Sequence, residues 1–283
     1  MSTIAASASR RREASLTPNY IILIILVAFA MGPLIVLSFN SLKTTAEIGR
    51  NPLGPPESFV WENFPKAWDV GNFAATTRNS GILVAGTVVG VLVLGGMAAY
   101  SLAKLDLPGS GPLTLYLLIG TSLPIQLYLV PLFFTWQRLG LVNSLFGLIL
   151  IYIATNAPIA IFLLRSFMVQ LPDDFVDAAR VDGASEWQVF ARIVVPLSWP
   201  GFLTVGLVVA LSVWNEFLLA TVFLTEQELF TVVTSYYSFA TRFSRDWTMT
   251  SAAALMMILP VVIIFLALQR RFIEGLTQGG LKG

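Results

Sequence analysis

Few side chains of this 283-residue chain could do chemistry within the apolar stretches that dominate it. Glu216, with Asn215 beside it, is the single carboxylate inside such a stretch, while Gln126 and Asn156 add two neutral amides. An ionised carboxylate in hydrocarbon requires water, a cation or a hydrogen-bond donor nearby, so Asn215 and Glu216 read equally as a point on a solute path and as a structural pair. Gln126 and Asn156 read first as groups that hydrogen-bond between helices, and second as further points on such a path. The chain has no histidine and no cysteine, which excludes disulfides, thiol nucleophiles, His-ligated metals and histidine proton relays. No metal or other cofactor is expected. With no convincing carboxylate pair in the apolar runs either, enzyme chemistry has little support.

The other candidate region is polar and lies between two apolar stretches, from Arg165 to Trp199. Leu171-Pro172-Asp173-Asp174 places a proline at a first helical position and carboxylates in the first turn, where they favour the helix dipole. Ser185-Glu186-Trp187-Gln188 has the form of a capping box. Gly183 falls between the two expected helices, where a chain reversal or a close backbone contact needs a residue without a side chain. The segment therefore predicts a helix-turn-helix outside the lipid, and such a device suggests a partner.

The elements that must position these residues are membrane spans. The chain is 56% hydrophobic and 12% charged, with a mean hydropathy of +0.77, values typical of membrane proteins. Six apolar runs reach the ~20 residues needed to cross ~30 Å of hydrocarbon. They lie at Tyr20–Phe39, Gly81–Leu102, Pro112–Trp136, Leu145–Leu164, Pro200–Phe223 and Ser251–Leu268. The first follows Arg10-Arg11-Arg12 and is read as an uncleaved span, since it exceeds the core of a signal peptide and no small-residue cleavage site closes it. With the N-terminus inside, ten of the 17 Lys and Arg residues fall on the cytoplasmic side and seven outside, the sign expected of the positive-inside bias. Both termini and the Arg165–Trp199 segment are then cytoplasmic. A net charge of +1 implies no nucleic-acid partner.

Within the second span, Gly86, Gly90 and Gly95-Gly96 suit close helix packing, within the chain before a dimer contact. Pro124, Pro131 and Pro260 are expected to break or kink their helices. Asn79-Ser80 reads as an N-cap for the second span. The external segment 40–80 is rich in Pro and Gly at Asn51-Pro52-Leu53-Gly54-Pro55-Pro56, and a second external loop, Leu224–Thr250, carries Tyr236, Tyr237, Phe239 and Trp247. Those aromatics read as headgroup-level anchors first and as a docking surface second. Transport driven by protons or sodium usually needs more intramembrane ionisable groups than one glutamate. No Gly-x-x-x-x-Gly-Lys phosphate loop occurs either. Energy for active transport would have to come from another polypeptide.

The pattern Asp177-Ala178-Ala179, three residues, Gly183, nine residues, Ile193, one residue, Val195-Pro196 resembles the cytoplasmic EAA loop of permease subunits in binding-protein-dependent ABC importers. Asp177 stands where glutamate is usual, and Val195 where leucine is commoner. Trp61-Glu62-Asn63, Asn79-Ser80, Ala98-Ala99-Tyr100-Ser101-Leu102-Ala103, Leu139-Gly140-Leu141, Trp214-Asn215-Glu216-Phe217-Leu218 and the terminal Gly279-Gly280-Leu281-Lys282-Gly283 extend the similarity to the carbohydrate-uptake, MalG-like branch.

The resemblance implies an all-α, six-helix permease of the type I importer fold in a bacterial or archaeal inner membrane. Its regions would be a cytoplasmic tail (1–19), a first span (20–39), an external loop (40–80), a permease core (81–268) carrying the coupling loop (165–199), and a cytoplasmic tail (269–283). In that family the EAA loop forms a coupling helix that docks in a groove of the ATPase, which places Asp177, Ala178, Ala179 and Gly183 at the contact and Pro196 in a loop-shaping role. The implied partners are a second permease subunit forming a heterodimer, two ATP-binding subunits that hold the ATPase activity, and an external solute-binding protein. The tail after Arg270-Arg271 is expected to reach the ATPase interface. The cargo would be a sugar, polyol or sugar phosphate moving between the permeases past Asn215 and Glu216. The rival readings are a self-sufficient channel or ion-coupled carrier using Glu216, and an ABC permease for another solute class.

Overall fold

The computed structural model of the protein describes residues 17–243 and 246–280. Arg10-Arg11-Arg12 and Leu281-Lys282-Gly283 lie outside the described residues. All regular structure among the described residues is helical, as expected where lipid offers no partner for a backbone N–H or C=O.

In chain order the first elements are α1 (Thr17–Ser41), α2 (Thr45–Arg50), α3 (Asn63–Val70) and α4 (Phe73–Lys104). Next come α5 (Ser110–Ser122), α6 (Leu129–Arg138) and α7 (Leu145–Val169). The polar segment holds α8 (Asp173–Val181), α9 (Glu186–Val189) and α10 (Val195–Leu197). The chain then runs through α11 (Trp199–Trp214), α12 (Leu218–Phe223), α13 (Val232–Arg242) and α14 (Trp247–Gly280).

The centre of the molecule is the long parallel contact between α4 and α7, the most extensive pairing of elements, with α11 packed across both. Gly86 and Gly90 explain its closeness. A Cβ added to Gly86 would stand 2.7 Å from Ile149 Cδ1, and one on Gly90 would meet Ile153. The small residues of α4 thus serve packing within the chain. Leu83, Val91, Leu148, Leu164, Val205 and Val209 fill the buried core between the three helices. α14 packs on α11 and α3, and α1 lies against α14.

Among the described residues, four unbroken helices are long and apolar enough to cross a membrane: Pro18–Ser41, Phe73–Lys104, Leu145–Val169 and Trp247–Ala267. The runs expected to form the third and fifth spans are each divided. The third gives α5 and α6, separated by an extended Leu123 and a short 3-10 turn at Ile125–Leu127. Pro124 causes the break, since its ring forces the preceding residue out of the helical region. Pro131 instead falls in the first turn of α6, where a missing N–H costs nothing. The fifth gives α11 and α12, separated at Asn215–Phe217. α14 continues through Pro260, as α1 and α7 do through Pro33 and Pro158.

A second departure concerns Asn79 and Ser80, which do not cap a helix. α4 begins at Phe73, after a left-handed Asn72 with φ 48°. Its 32 residues at 1.5 Å each span about 48 Å, more than the hydrocarbon thickness. The extra turns reach the segment after α12. Asn79 Nδ2 donates to the carbonyls of Glu228 (2.8 Å) and Phe230 (3.1 Å), and the Val232 N–H donates to Ser80 Oγ (2.9 Å).

Candidate functional site

The Arg165–Trp199 segment folds as a helix, a reversal and a second helix. Pro172, expected at the first helical position, occupies the N-cap of α8 instead, and Asp173 and Asp174 lie in the first turn. The side chain of Val176 is buried beneath α8 and Ala179 packs against the core. Asp177, Ala178 and Gly183 are exposed. Phe175 and Val181, 53% and 87% exposed, flank Ala178 on the outer face. After α8, Gly183 reverses the chain at φ +79°. Its N–H donates to the Arg180 carbonyl and the Ala184 N–H to the Ala179 carbonyl, both at 3.0 Å. Among the described residues, none beyond its chain neighbours lies within 4 Å of where a Gly183 Cβ would stand. Within the chain Gly183 is therefore required by its backbone conformation and not by a close contact. The capping box is present: the Ser185 N–H donates to Gln188 Oε1 at 2.8 Å, and the Gln188 N–H to Ser185 Oγ at 3.4 Å.

Charged side chains secure this loop to the end of α4. Lys104, whose side chain is 3% exposed, donates from Nζ to the Leu171 carbonyl and to Asp173 Oδ1, both at 2.6 Å. Its hydrogen bond and charge hold the Asp173 carboxyl below the ordinary carboxylate range. Arg180 donates from Nε to Glu186 Oε1 at 2.8 Å and from Nη1 to Asp177 Oδ1 at 3.2 Å. The Tyr100 hydroxyl donates to Glu186 Oε2. Hydrogen bonds from Arg180 and then Tyr100 lower the Glu186 carboxyl. Arg165, at the far end of α7, donates from Nε to the Leu102 carbonyl at 3.1 Å. Tyr100, Lys104, Arg180 and Glu186 were not legible as a group in the sequence, because their partners come from separate elements.

Beyond α9 the helix widens into a π turn at Phe190–Val194, and the Val195 N–H donates to the Phe190 carbonyl five residues back. Pro196 lies inside this helix and not in a loop. Having no N–H to donate four residues back, it fits where the helical register is already shifted. At Ser198 the chain turns by 80° between Glu186–Leu197 and α11. Pro200 occupies the first turn of α11, and Gly201 next to it lies directly under the Phe167 ring.

The intramembrane candidates do not form one cluster. Glu216 and Asn156 line a common cleft of about 460 Å³, together with Thr121, Tyr128, Tyr152, Thr155 and Ser212; Asn215 and Gln126 are not part of its lining. Both carboxylate oxygens of Glu216 are engaged. Oε1 accepts from the Leu219 N–H at 2.8 Å, and Oε2 accepts from the Ala220 N–H at 3.0 Å and the Tyr152 hydroxyl at 2.7 Å. This is the donor set that an ionised group in a span requires. Glu216 caps α12 and so makes the break after α11 sustainable. Asn156 donates to the Tyr152 carbonyl and Asn215 to the Leu211 carbonyl, each at 2.8 Å and each four residues back along its own helix. Gln126 is exposed in the 3-10 turn.

The family model described as "binding-protein-dependent transport system inner membrane component" matches residues 91–278, a stretch that contains both the Arg165–Trp199 segment and the cleft. The chain belongs to this family. The permease is 33% identical over 280 residues to the diacetylchitobiose uptake system permease protein NgcG of Streptomyces coelicolor, covering 98% of this chain and 92% of that one. It is also 33% identical to the arabinooligosaccharides transport system permease protein AraQ of Bacillus subtilis (95% of each chain). The same identity holds for the trehalose transport system permease protein SugB of Mycobacterium tuberculosis (92% of this chain, 95% of that one). A bacterial ABC transporter involved in the import of the acidic polysaccharide alginate has a chain of the same fold, with a TM-score of 0.80 at 23% identity over 95% of the permease and 100% of that chain. The all-α ABC importer permease expected from the coupling-loop motif is therefore the fold and family of this chain. It is a permease subunit of a membrane transport system, as its relatives are.

Proposed function

We propose that this permease carries a sugar or a closely related solute, and that its Asp173–Leu197 region is where ATP hydrolysis on a partner subunit enters. The observation that carries this reading is the exposed turn at Gly183. A left-handed glycine with open space where its Cβ would stand and an exposed apolar outer face at Phe175, Ala178 and Val181 form a surface that fits the groove of another protein. Asp177, Ala178, Ala179 and Gly183 would lie at that contact, with Asp177 able to pair with a basic group. Pro196 shapes the far end by fixing the helix before the 80° turn. The sugar assignment is supported by relatives named for diacetylchitobiose, arabinooligosaccharides and trehalose uptake.

In the assembled importer this chain pairs with a second permease, two ATP-binding subunits and an external solute-binding protein. It crosses the inner membrane six times, the third and fifth crossings being built from divided helices, with both termini and the coupling loop in the cytoplasm. Regions 1–19 and 269–283 are the cytoplasmic tails, 40–80 is external, and the tail after Arg270-Arg271 approaches the ATPase. The cleft bearing Asn156 and Glu216 borders the solute path, and Gln126 and Asn215 lie at its margins. Engagement of both Glu216 oxygens within the chain counts against an ion-coupling role for it.

The test is Gly183→Asp in membrane vesicles containing the whole importer. Asp tolerates the left-handed region better than most residues, so the subunit stays inserted while uptake is lost and the ATPase runs uncoupled. Wild-type uptake by this variant overturns the docking assignment.

A further inference from the structure

The coupling loop is covalently continuous with α7 before it and α11 after it, but its charged side chains converge on neither. They converge on the last turn of α4. The Tyr100 hydroxyl donates to Glu186 Oε2. Arg180 holds the other oxygen of that carboxylate at 2.8 Å and reaches the Lys104 carbonyl with Nη2 at 3.4 Å. Lys104 Nζ returns to the Leu171 carbonyl and Asp173 at 2.6 Å. The Tyr100 ring packs on Phe190, with centroids 5.5 Å apart, and Phe190 packs on Trp187 at 5.7 Å.

These contacts are needed because little else holds α8. It has nine residues, of which Val176 alone is buried, and short non-helical connections lead to it at Gln170–Pro172 and away from it at Asp182–Ser185. A push on α8 would otherwise be absorbed by rotation about those connections. α4, by contrast, has the largest packed contact with α7 and also packs on α11, two of the helices that wall the Glu216 cleft.

Resting on the coupling reading above, we infer that Arg180, Glu186 and Tyr100 are positioning residues that join the coupling turn to α4 as one mechanical unit. Force from the docked ATPase then passes into the spans through α4, a helix remote in sequence from the loop. Arg180 is the hub, because its fork meets Glu186 and Asp177 together and sets the orientation in which Asp177 is offered to a partner.

The experiment is made on the complete importer in proteoliposomes, reading solute taken up per ATP hydrolysed and the ATPase subunit that co-purifies. Tyr100→Phe removes a single hydroxyl, and Arg180→Gln removes the hub. Loss of a hydrogen bond to a charged group amounts to roughly a factor of ten, so Tyr100→Phe is expected to lower the transport ratio about tenfold, and Arg180→Gln, which loses several such bonds, by at least as much, with the ATPase still bound in both. Arg180→Lys keeps the charge without the fork and recovers part of the ratio. An unchanged ratio in Tyr100→Phe and Arg180→Gln, alongside uncoupling by Gly183→Asp, overturns the clamp and leaves the coupling loop standing. A fall in assembled complex with the ratio constant overturns it as well, by showing a purely structural role. Wild-type uptake by Gly183→Asp overturns the coupling reading itself, and this inference with it.

Discussion

The Tyr152 hydroxyl lies 2.7 Å from Glu216 Oε2, joining α7 to the break between α11 and α12 across 64 positions of sequence. Glu216→Ala leaves the N–H groups of Leu219 and Ala220 and the Tyr152 hydroxyl without their acceptor. The expected loss of stability is about 2–3 kcal/mol, read as a lower melting temperature in detergent. Tyr152→Phe removes one of the three bonds and is expected to cost about 1 kcal/mol. If Glu216 were an ion site, its substitution would change the ion dependence of uptake, and no such change is expected.

Gly183 separates backbone demand from partner contact. Its φ of +79° makes Gly183→Ala cost about 1–2 kcal/mol, whereas Gly183→Asn suits the left-handed region. Open space around the position lets the Asn side chain fit the isolated subunit. Gly183→Asn is therefore expected to melt close to wild type yet transport poorly, a pattern that a melting curve and an uptake assay together distinguish.

The Lys104–Asp173 pair carries a pH dependence whose sign follows from the lowered Asp173 carboxyl. The unfolded chain binds this proton more readily than the folded one, so the pair's contribution is present above the unfolded value and is lost as pH falls through the lower folded value. The difference in melting temperature between wild type and Asp173→Asn should hold steady from neutral pH down to about 4 and shrink below it. A difference that grew on acidification would contradict the pairing.

Two glycines of α11 give opposite expectations. A Cβ on Gly201 would stand 2.6 Å from the Phe167 ring, while one on Gly206 would meet only ordinary contacts beginning at 3.5 Å. Gly201→Ala must displace a rigid ring beside the 80° turn, for a cost of about 1–3 kcal/mol. Gly206→Ala is expected to be neutral or stabilising by up to about 1 kcal/mol, through the lower entropy of the unfolded chain. Thermal unfolding of the two variants side by side is the measurement.

The Arg165–Trp199 helix-turn-helix was legible in the sequence because its signals are local. Asp173 and Asp174 at a helix start, the Ser185–Gln188 box and Gly183 at the reversal each act within a few residues, and each stands in the structure where the sequence put it. Four of the apolar runs stand as unbroken helices in the structure, but the divisions of the other two were not legible. Pro112–Trp136 and Pro200–Phe223 have the composition of continuous helices, and a hydropathy profile responds to composition and not to a turn at Leu123 or a capped break at Glu216. Asn79-Ser80 was misread for a related reason: the pair has the chemistry of a cap, but its partners are the carbonyls of Glu228 and Phe230 and the N–H of Val232, about 150 residues away.

By itself the sequence determined the solvent, the helical class, the loop and the family, since hydrophobicity, capping chemistry and motif spacing are properties of neighbouring residues. The tertiary structure alone decided what Glu216 does, which glycines touch which isoleucines, and that the loop is held by Tyr100 and Lys104 of α4. Those pairings depend on the packing of helices far apart in the chain. A charged or hydroxyl side chain reveals its role only when its acceptor or donor has been brought within about 3 Å.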